Sequence, residues 1–254
     1  DGHGGGLCIV GAQLEVSDNL IVGNHATWTG GTYGKGGGIY ATDSVALISS
    51  NDISTNAGVG FPGFPATARG YGGGLSLEGG QTTMRDNLIA ANAATQAENE
   101  GQGGGISVKA GTIVLEENTI TDNRTSPESL GGAGGGVFIG GSAGAVVEAN
   151  VVQGNVADED GGGLSLAGAD GCIVTRNEIV SNTASRRNGG GVYVGDSDSV
   201  TIAQNVLLWN HGNSGGGVYL YSGGSDGRSL RLENSIVGHN GAMVGGGVYI
   251  KGLE

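Results

Sequence analysis

Residues 189–210 read GGGVYVGDSDSVTIAQNVLLWN, and the spacing within this stretch decides the fold. Three glycines run into Val-Tyr-Val at 192–194, and a second alternating run, Val-Thr-Ile at 200–202, leads to Asn205. Alternation of apolar and other residues with a period of two indicates β-strands. A third apolar step at Leu207 lies between the two asparagines, so the stretch predicts three short strands separated by turns.

The same arrangement recurs along the whole chain. Nine glycine triplets, each followed by an aliphatic residue, begin at Gly4, Gly36, Gly72, Gly103, Gly134, Gly161, Gly189, Gly215 and Gly245. Seven asparagine pairs share one separation: Asn19/Asn24, Asn51/Asn56, Asn87/Asn92, Asn118/Asn123, Asn150/Asn155, Asn177/Asn182 and Asn205/Asn210. The length variation lies in the connection from the second asparagine to the next triplet, which spans 57–71 at its longest and 241–244 at its shortest. A fixed unit repeated in this way is typical of a solenoid.

Three short strands in about 22 residues fit one rung of a coil whose rungs stack at about 4.8 Å. We therefore predict an all-β, single-stranded right-handed parallel β-helix of about eight to nine rungs, with three short strands per rung. Leucine-rich repeats, propeller blades and collagen require spacings that this chain lacks. We expect residues 1–254 to form a single β-helix domain that is a segment of a longer chain, because the sequence starts and stops on the repeat itself.

The glycines and asparagines are interpreted as structural. A corner repeated at the same place in every rung must tolerate close neighbours above and below and positive φ angles, and glycine tolerates both. An asparagine amide has donors and an acceptor, so it can bond the turn and its equivalent in the next rung. The pattern therefore predicts ladders of stacked asparagines instead of a phosphate cradle or an active site.

The pairing of Gly-Gly-Gly-[Ile/Leu/Val] with [Ile/Val/Leu]-x-x-Asn resembles the paired repeats of the polymorphic outer-membrane proteins of chlamydiae. More broadly, it is similar to the right-handed parallel β-helix repeats of the pectin-lyase-like superfamily. The resemblance covers the whole chain. It implies a surface-exposed or secreted passenger, often adhesive, that is carried by a longer polypeptide.

Composition narrows the possible partners. The chain has 24 acidic and 11 basic residues and a formal charge of −13, which disfavours binding to nucleic acid and to anionic membrane surfaces. No stretch approaches the roughly 20 apolar residues of a membrane span, so we expect no membrane insertion of this segment. Cys8 and Cys172 fall five rungs apart, too far for a disulfide, and Cys172 occupies an inward position. We expect an extracellular or cell-surface location from the resemblance and from the glycine-rich, lysine-poor composition.

Enzymatic chemistry has weak support in the sequence. Polygalacturonase-like enzymes share the expected fold, and Gly2-His3-Gly4 is similar to one of their short motifs, but their Asn-Thr-Asp, Asp-Asp and Arg-x-Lys elements are absent. The four histidines fall on different rungs, whereas zinc needs three or four converging ligands. We predict no cofactor; Asp158 and Asp160 are the candidates for a calcium site, and a solvated acidic loop is the alternative.

Two features point to binding. The residue two places after each triplet points outward, so Tyr193, Tyr219 and Tyr249 are predicted to form an exposed aromatic ladder. The second feature is the group of long connections in the N-terminal half, which leave the coil at one corner and should lie side by side. Their candidate binding residues are Trp28, Tyr33, Phe61, Phe64, Arg69 and Tyr71. Binding residues concentrate on such loops, although sheet packing of the tyrosines and loop packing of the phenylalanines would explain the same residues.

These observations predict a non-enzymatic extracellular or cell-surface β-helix module that presents a binding surface, adhesin-like, for a surface glycan or a protein partner. Two alternatives stay open. A polysaccharide lyase or glycoside hydrolase that acts on an acidic polysaccharide must place two carboxylates, or a carboxylate and a base, along one face. A structural filament subunit would self-assemble through its ends or its loops.

Overall fold

The computed structural model describes residues 1–27, 33–60, 68–96, 100–126, 131–221 and 229–252. Trp28, Phe61 and Phe64 lie outside the described residues. All paired strands in the described part are parallel, and each pairs with the equivalent strand one repeat away. The predicted right-handed parallel β-helix with three strands per rung is confirmed.

The strands that follow the glycine triplets form a nine-stranded sheet, here called the triplet sheet. Its strands are Leu7–Val10, Ile39–Thr42, Leu75–Glu78, Ile106–Lys109, Val137–Gly140, Leu164–Ala167, Val192–Gly195, Val218–Tyr221 and Val248–Lys251. Nearly every first and third side chain of these strands faces the interior, as the alternation predicts.

Two eight-stranded sheets complete each rung. The middle sheet precedes the first asparagine and contains Gln13–Ser17, Val45–Ser49, Gln81–Arg85, Thr112–Glu116, Val146–Glu148, Ile173–Thr175, Val200–Ala203 and Leu230–Glu233. The asparagine sheet lies between the two asparagines and contains Leu20–Val22, Asp52–Ser54, Leu88–Ala90, Thr119–Thr121, Val151–Gln153, Glu178–Val180, Val206–Leu208 and Ile236–Gly238.

The connections between rungs carry short strands of their own. A five-stranded connection sheet contains Gly2–His3, Tyr33–Lys35, Arg69–Tyr71, Gly101–Gln102 and Gly132–Ala133. The remaining strands are His25–Thr27, Ala57–Val59 and Ala93–Thr95 in one sheet, with Val156–Ala157 and Thr183–Ala184 in another. These strands are the stems of the connections, so the described stems lie side by side, as expected.

The asparagine ladders form as predicted. Asn118 donates from its backbone N–H and from Nδ2 to Oδ1 of Asn150, at 2.9 and 3.0 Å, and Asn150 donates in the same way to Asn177. The second asparagines repeat this arrangement, as between Asn123 and Asn155. Asparagine side chains in the middle rungs are almost fully buried. Each ladder therefore supplies hydrogen bonds, in place of water, to the backbone N–H and C=O groups of the turns that the strands leave unpaired.

The interior is a continuous apolar column. Cys172 is fully buried in it, stacked between Ala145 and Val200 of the adjacent rungs, as its predicted inward position requires. Burial raises the pKa of the Cys172 thiol to about 12, whereas Cys8 is exposed.

This contrast gives a prediction about thiol reactivity. In the native chain, Ellman's reagent should modify Cys8 within minutes and leave Cys172 unmodified until the protein is unfolded, because the reacting species is an accessible thiolate. Absorbance of the released thionitrobenzoate measures both thiols. Equal rates for the two thiols in the native protein would contradict the buried position of Cys172.

Candidate ligand-binding face

All seven tyrosines and all three lysines of the chain lie on one side of the coil, where Tyr40, Tyr71 and Tyr219 are buried. This surface is the outer side of the triplet sheet together with the adjoining five-stranded connection sheet, and we call it the tyrosine–lysine face. Its defining residues are Tyr33, Tyr40, Tyr71, Tyr193, Tyr219, Tyr221, Tyr249, Lys35, Lys109 and Lys251. Each lysine ammonium lies over a tyrosine ring: Lys35 over Tyr40, Lys109 over Tyr71 and Lys251 over Tyr221.

This segregation is informative because strand preference alone would not produce it. Tyrosine favours strands in general, and the outer sides of the middle and asparagine sheets offer as many strand positions, yet they carry no tyrosine or lysine. The chain as a whole is acidic, with a formal charge of −13. One side of the rod is therefore chemically distinct from the others.

A charged network joins the second and third rungs of the face. Glu78 pairs with the Lys35 ammonium at 2.9 Å and accepts a hydrogen bond from the Tyr40 hydroxyl at 3.0 Å. The His3 ring stacks on Tyr40 with 4.7 Å between ring centroids. Burial, and then the hydrogen bond to the Glu78 carboxylate, raise the pKa of Tyr40 to about 12. Tyr40 therefore stays protonated and donates throughout the physiological range.

Lys109 occupies the next position along the face and differs from Lys35. Its Nζ lies 3.6 Å from the centroid of the Tyr71 ring, a close cation–π contact. Among the described residues it has no carboxylate within ion-pair distance. Burial lowers the pKa of Lys109, and the neighbouring Glu78 opposes this shift. Lys109 is thus a half-buried cation that an anionic ligand group could pair with.

The structure brings together three of the residues predicted for the connection cluster. Tyr33 and Tyr71 stack with ring centroids 6.3 Å apart, and Arg69 stands directly beside Tyr33 in the neighbouring strand. The Arg69 Nε lies 2.9 Å from Glu100 Oε2. The other three residues, Trp28, Phe61 and Phe64, are outside the described part. The binding role of the whole set stays a prediction.

The tyrosine row at the C-terminal end stacks as expected, but its exposure differs from the expectation. Ring centroids of Tyr193 and Tyr219 are 5.4 Å apart, and those of Tyr219 and Tyr249 are 5.3 Å apart, with nearly parallel planes. Tyr219 is only 7% exposed, so the prediction of an open ladder of ring faces is wrong for this residue. The Tyr193 ring lies across Gly195, where a Cβ would meet the ring. Burial raises the pKa of Tyr193 to about 12.

This face also contains buried polar side chains that were not predicted from the sequence. Ser107 and Ser165 are each 1% exposed, and their hydroxyl oxygens have no hydrogen-bond partner among the described residues; the same holds for Oε1 of the half-buried Gln102. The sequence pattern does not reveal these unpaired polar groups, because a serine or glutamine in a strand loses contact with water only when neighbouring side chains cover it. Ser107 and Gln102 share a rung with Lys109, so polar groups lie close to that cation.

The residues proposed for calcium face arginines and amides. Asp158 is buried, accepts a hydrogen bond from the Gly131 N–H at 2.8 Å and lies 3.4 Å from Arg186 Nε. Asp160 accepts from the backbone N–H and from Nδ2 of Asn188. Within the described ranges, no group of three His, Cys, Asp or Glu side chains converges as a metal site would require. A calcium site at Asp158 and Asp160 stays an untested prediction.

A concave surface lies on the outer side of the middle sheet in the first four rungs. This open groove has a volume of about 870 Å³, and its outward polar lining includes Gln13, Glu15, Gln81, Arg85 and Glu116. No aromatic side chain lines it, so it lacks the stacking surfaces found on the tyrosine–lysine face.

No helix in the described part of the chain has the length and apolarity needed to cross a bilayer.

Comparison with known proteins supports the fold. A search of curated proteins finds no match. The family model described as a right-handed beta helix region matches residues 2–179 and 69–253, two overlapping segments that together span nearly the whole sequence. The chain belongs to the right-handed β-helix family.

Proposed function

We propose that this chain is a non-enzymatic, extracellular or cell-surface β-helix module that binds an acidic glycan through its tyrosine–lysine face. The observation that carries the proposal is the confinement of every tyrosine and every lysine to this one face of an otherwise acidic rod. The extracellular location is supported by the resemblance of the repeats to those of surface passengers.

The chemistry of the face suits a carbohydrate with carboxylate groups. Tyrosine supplies ring edges and a hydroxyl that bonds to sugar hydroxyls. A lysine ammonium pairs with a carboxylate through charge-assisted hydrogen bonds, which are stronger than neutral ones. Because equivalent positions repeat at about 4.8 Å along the axis, a linear polymer lying along the rod would meet several of these tyrosines and lysines in turn.

Lys109 gives the sharpest test. Lys109→Met should weaken binding to immobilised polygalacturonate at least about tenfold, since a hydrogen bond to a charged group contributes about 1.5–3 kcal/mol. Biolayer interferometry measures the affinity, with neutral dextran as the reference polymer. Arg231→Met is the matched control, because it removes one positive charge from the outer side of the middle sheet. Equal loss in both variants would reduce the effect to overall charge and contradict a localised site.

The pH dependence checks the same residue. Burial lowers the pKa of Lys109, so the ammonium loses its charge at a lower pH than an exposed lysine does. Binding of a carboxylate should therefore fall as the pH rises through this lowered pKa. The Lys109→Met variant should lack that step.

One observation favours the enzymatic alternative. A polysaccharide lyase needs a base that takes the proton beside a uronate carboxylate while the glycosidic C–O bond on the adjacent carbon breaks. Lys109, with its lowered pKa, is the candidate base on this face. Ultraviolet absorbance of the unsaturated product, recorded with polygalacturonate and alginate, separates the two functions. A binding module should give no turnover above the buffer rate. The filament alternative has a separate test: sedimentation of the free chain would detect polymers.

A further inference from the structure

Trp209 stands out on another side of the rod. Its indole is 59% exposed, although it is the largest side chain in the asparagine turns. Its φ is +59°, in the left-handed region, where a bulky residue is a genuine outlier. Glycine or asparagine would adopt this conformation at lower cost, and the equivalent residues two rungs earlier and at the first rung are Gly154 and Gly23.

One face of the indole is covered by a second ring. The His239 imidazole, one rung further on, stacks on Trp209 with 4.4 Å between centroids and 8° between planes. Because this stack follows the axis of the rod, the other indole face looks back toward the preceding rung. The residue at the equivalent turn there is Ser181, which is small and exposed.

A carboxylate bounds the space beyond Ser181. A Cβ on Gly154 would lie 2.6 Å from Oδ1 of Asp122, so the Asp122 side chain extends over that glycine. The Thr121 hydroxyl donates to the other oxygen of Asp122 at 3.1 Å. The levels of Trp209 and Gly154 are two rungs apart, about 10 Å at the usual rung spacing. The result is a notch with an aromatic wall, a small-residue floor and a carboxylate opposite the wall.

We propose that this notch, formed by Trp209, Ser181, Gly154 and Asp122, binds a single neutral or amino pyranose. The C–H face of the sugar ring stacks on the free face of Trp209 at the level of Ser181. A hydroxyl or ammonium on the opposite side donates to Asp122, and ring-edge hydroxyls bond with the Ser181 hydroxyl.

The same chemistry excludes the ligand of the other face. The Asp122 carboxylate repels a uronate, whereas the tyrosine–lysine face offers a cation to it. The notch lies beside the asparagine sheet and shares no residue with the tyrosine–lysine face. The second site would therefore make the rod a two-site binder with separate sugar preferences, and either site can fail its test without the other.

Saturation-transfer NMR tests the notch with defined probes. The probes are methyl β-D-glucopyranoside, methyl β-D-galactopyranoside, methyl α-D-mannopyranoside, N-acetylglucosamine and glucosamine, with glucuronate as the anionic comparison. We expect transfer to at least one of the five neutral or amino sugars, little to glucuronate, and at least a fivefold loss in Trp209→Asn. Asp122→Ala should reduce the transfer as well. Absence of transfer to all five sugars, or equal transfer in Trp209→Asn, would overturn the proposal.

Thermal stability measurements show whether a loss of sugar binding in Trp209→Asn comes from the missing indole or from a damaged fold. Trp209→Asn places a residue that tolerates positive φ at the strained position, so Tm should rise by about 2–4 °C. Thr55→Asn is the matched control, because Thr55 has a φ of +54° at the equivalent turn, far from the notch. It should leave sugar binding unchanged. A drop in Tm on Trp209→Asn would show that the indole supports the fold, and would contradict a role as a ligand platform.

Discussion

Replacing Gly73 by alanine is expected to lower the free energy of unfolding by more than about 4 kcal/mol, among the largest effects of a single substitution. Gly73 is the middle residue of a triplet and lies where the coil closes on itself. An added Cβ would overlap the backbone carbonyl and amide nitrogen of Ala93, which belongs to the end of the same rung. Because the obstacle is backbone and not a flexible side chain, one segment of the rung must move and break its ladder of hydrogen bonds. Urea unfolding followed by circular dichroism measures the loss.

Gly23→Ala is the matched control for this prediction. Gly23 has a φ of +70°, but no atom lies within 4 Å of the position that an alanine Cβ would occupy. Alanine there incurs only the cost of the left-handed backbone, about 1–2 kcal/mol. If Gly73→Ala costs no more than Gly23→Ala, close packing of the coil is not the reason for the middle glycine of the triplet.

The main features of the fold could be predicted because each one answers a local requirement repeated in every rung. The period-two runs place strands, and the asparagine pairs mark two turns at a fixed separation. The amide of Asn150 has the donors and the acceptor that a stacked turn needs, so the ladder follows from its chemistry. The inward position of Cys172 follows from counting along the same repeat.

The backbone at the asparagine turns could not be predicted. The residue before each ladder asparagine adopts a positive φ, as in Asp86, Arg176 and Trp209. These residues share no chemistry, and a sequence signal for this conformation would require glycine or asparagine. The asparagine that follows fixes the turn through hydrogen bonds to the next rung, and tertiary bonding overrides the preference of the residue itself.

The candidate face could be predicted only in part. The outward direction of Tyr193, Tyr219 and Tyr249 follows from alternation, but their coverage depends on how each ring leans over neighbouring residues such as Gly195. The contact between Lys109 and Tyr71 depends on how the connection strand Arg69–Tyr71 lies against the triplet-sheet strand Ile106–Lys109 of the next rung. Sequence order gives no register for those strands, because the connections vary in length.

Asn150→Leu should remove about 4 kcal/mol or more of stability and lower Tm by roughly 10 °C or more. The Asn150 side chain donates to the carbonyls of Leu115 and Glu148 and to Asn177, and its Oδ1 accepts from the backbone N–H and Nδ2 of Asn118. Leucine has a similar volume but leaves these buried partners unpaired. Each unpaired buried group costs about 1–3 kcal/mol, so the penalty exceeds the gain from added apolar surface. Differential scanning calorimetry measures the change.

Asn19→Leu is the comparison variant, because it removes an asparagine at the exposed end of the same ladder. Asn19 donates to Asn51 and Ser17 as Asn150 does to Asn177 and Glu148, but among the described residues it has no counterpart of the Asn150 bond to the Leu115 carbonyl, it is exposed, and nothing donates to its Oδ1. Water can satisfy the partners that Asn19→Leu leaves behind, so this variant should lose less than about 1 kcal/mol. The difference between the two variants measures what burial and the bonds to the preceding rung together add to one amide. Similar losses at both positions would mean that the ladder gains nothing from stacking, and that the rungs are held by strand pairing and the apolar column alone.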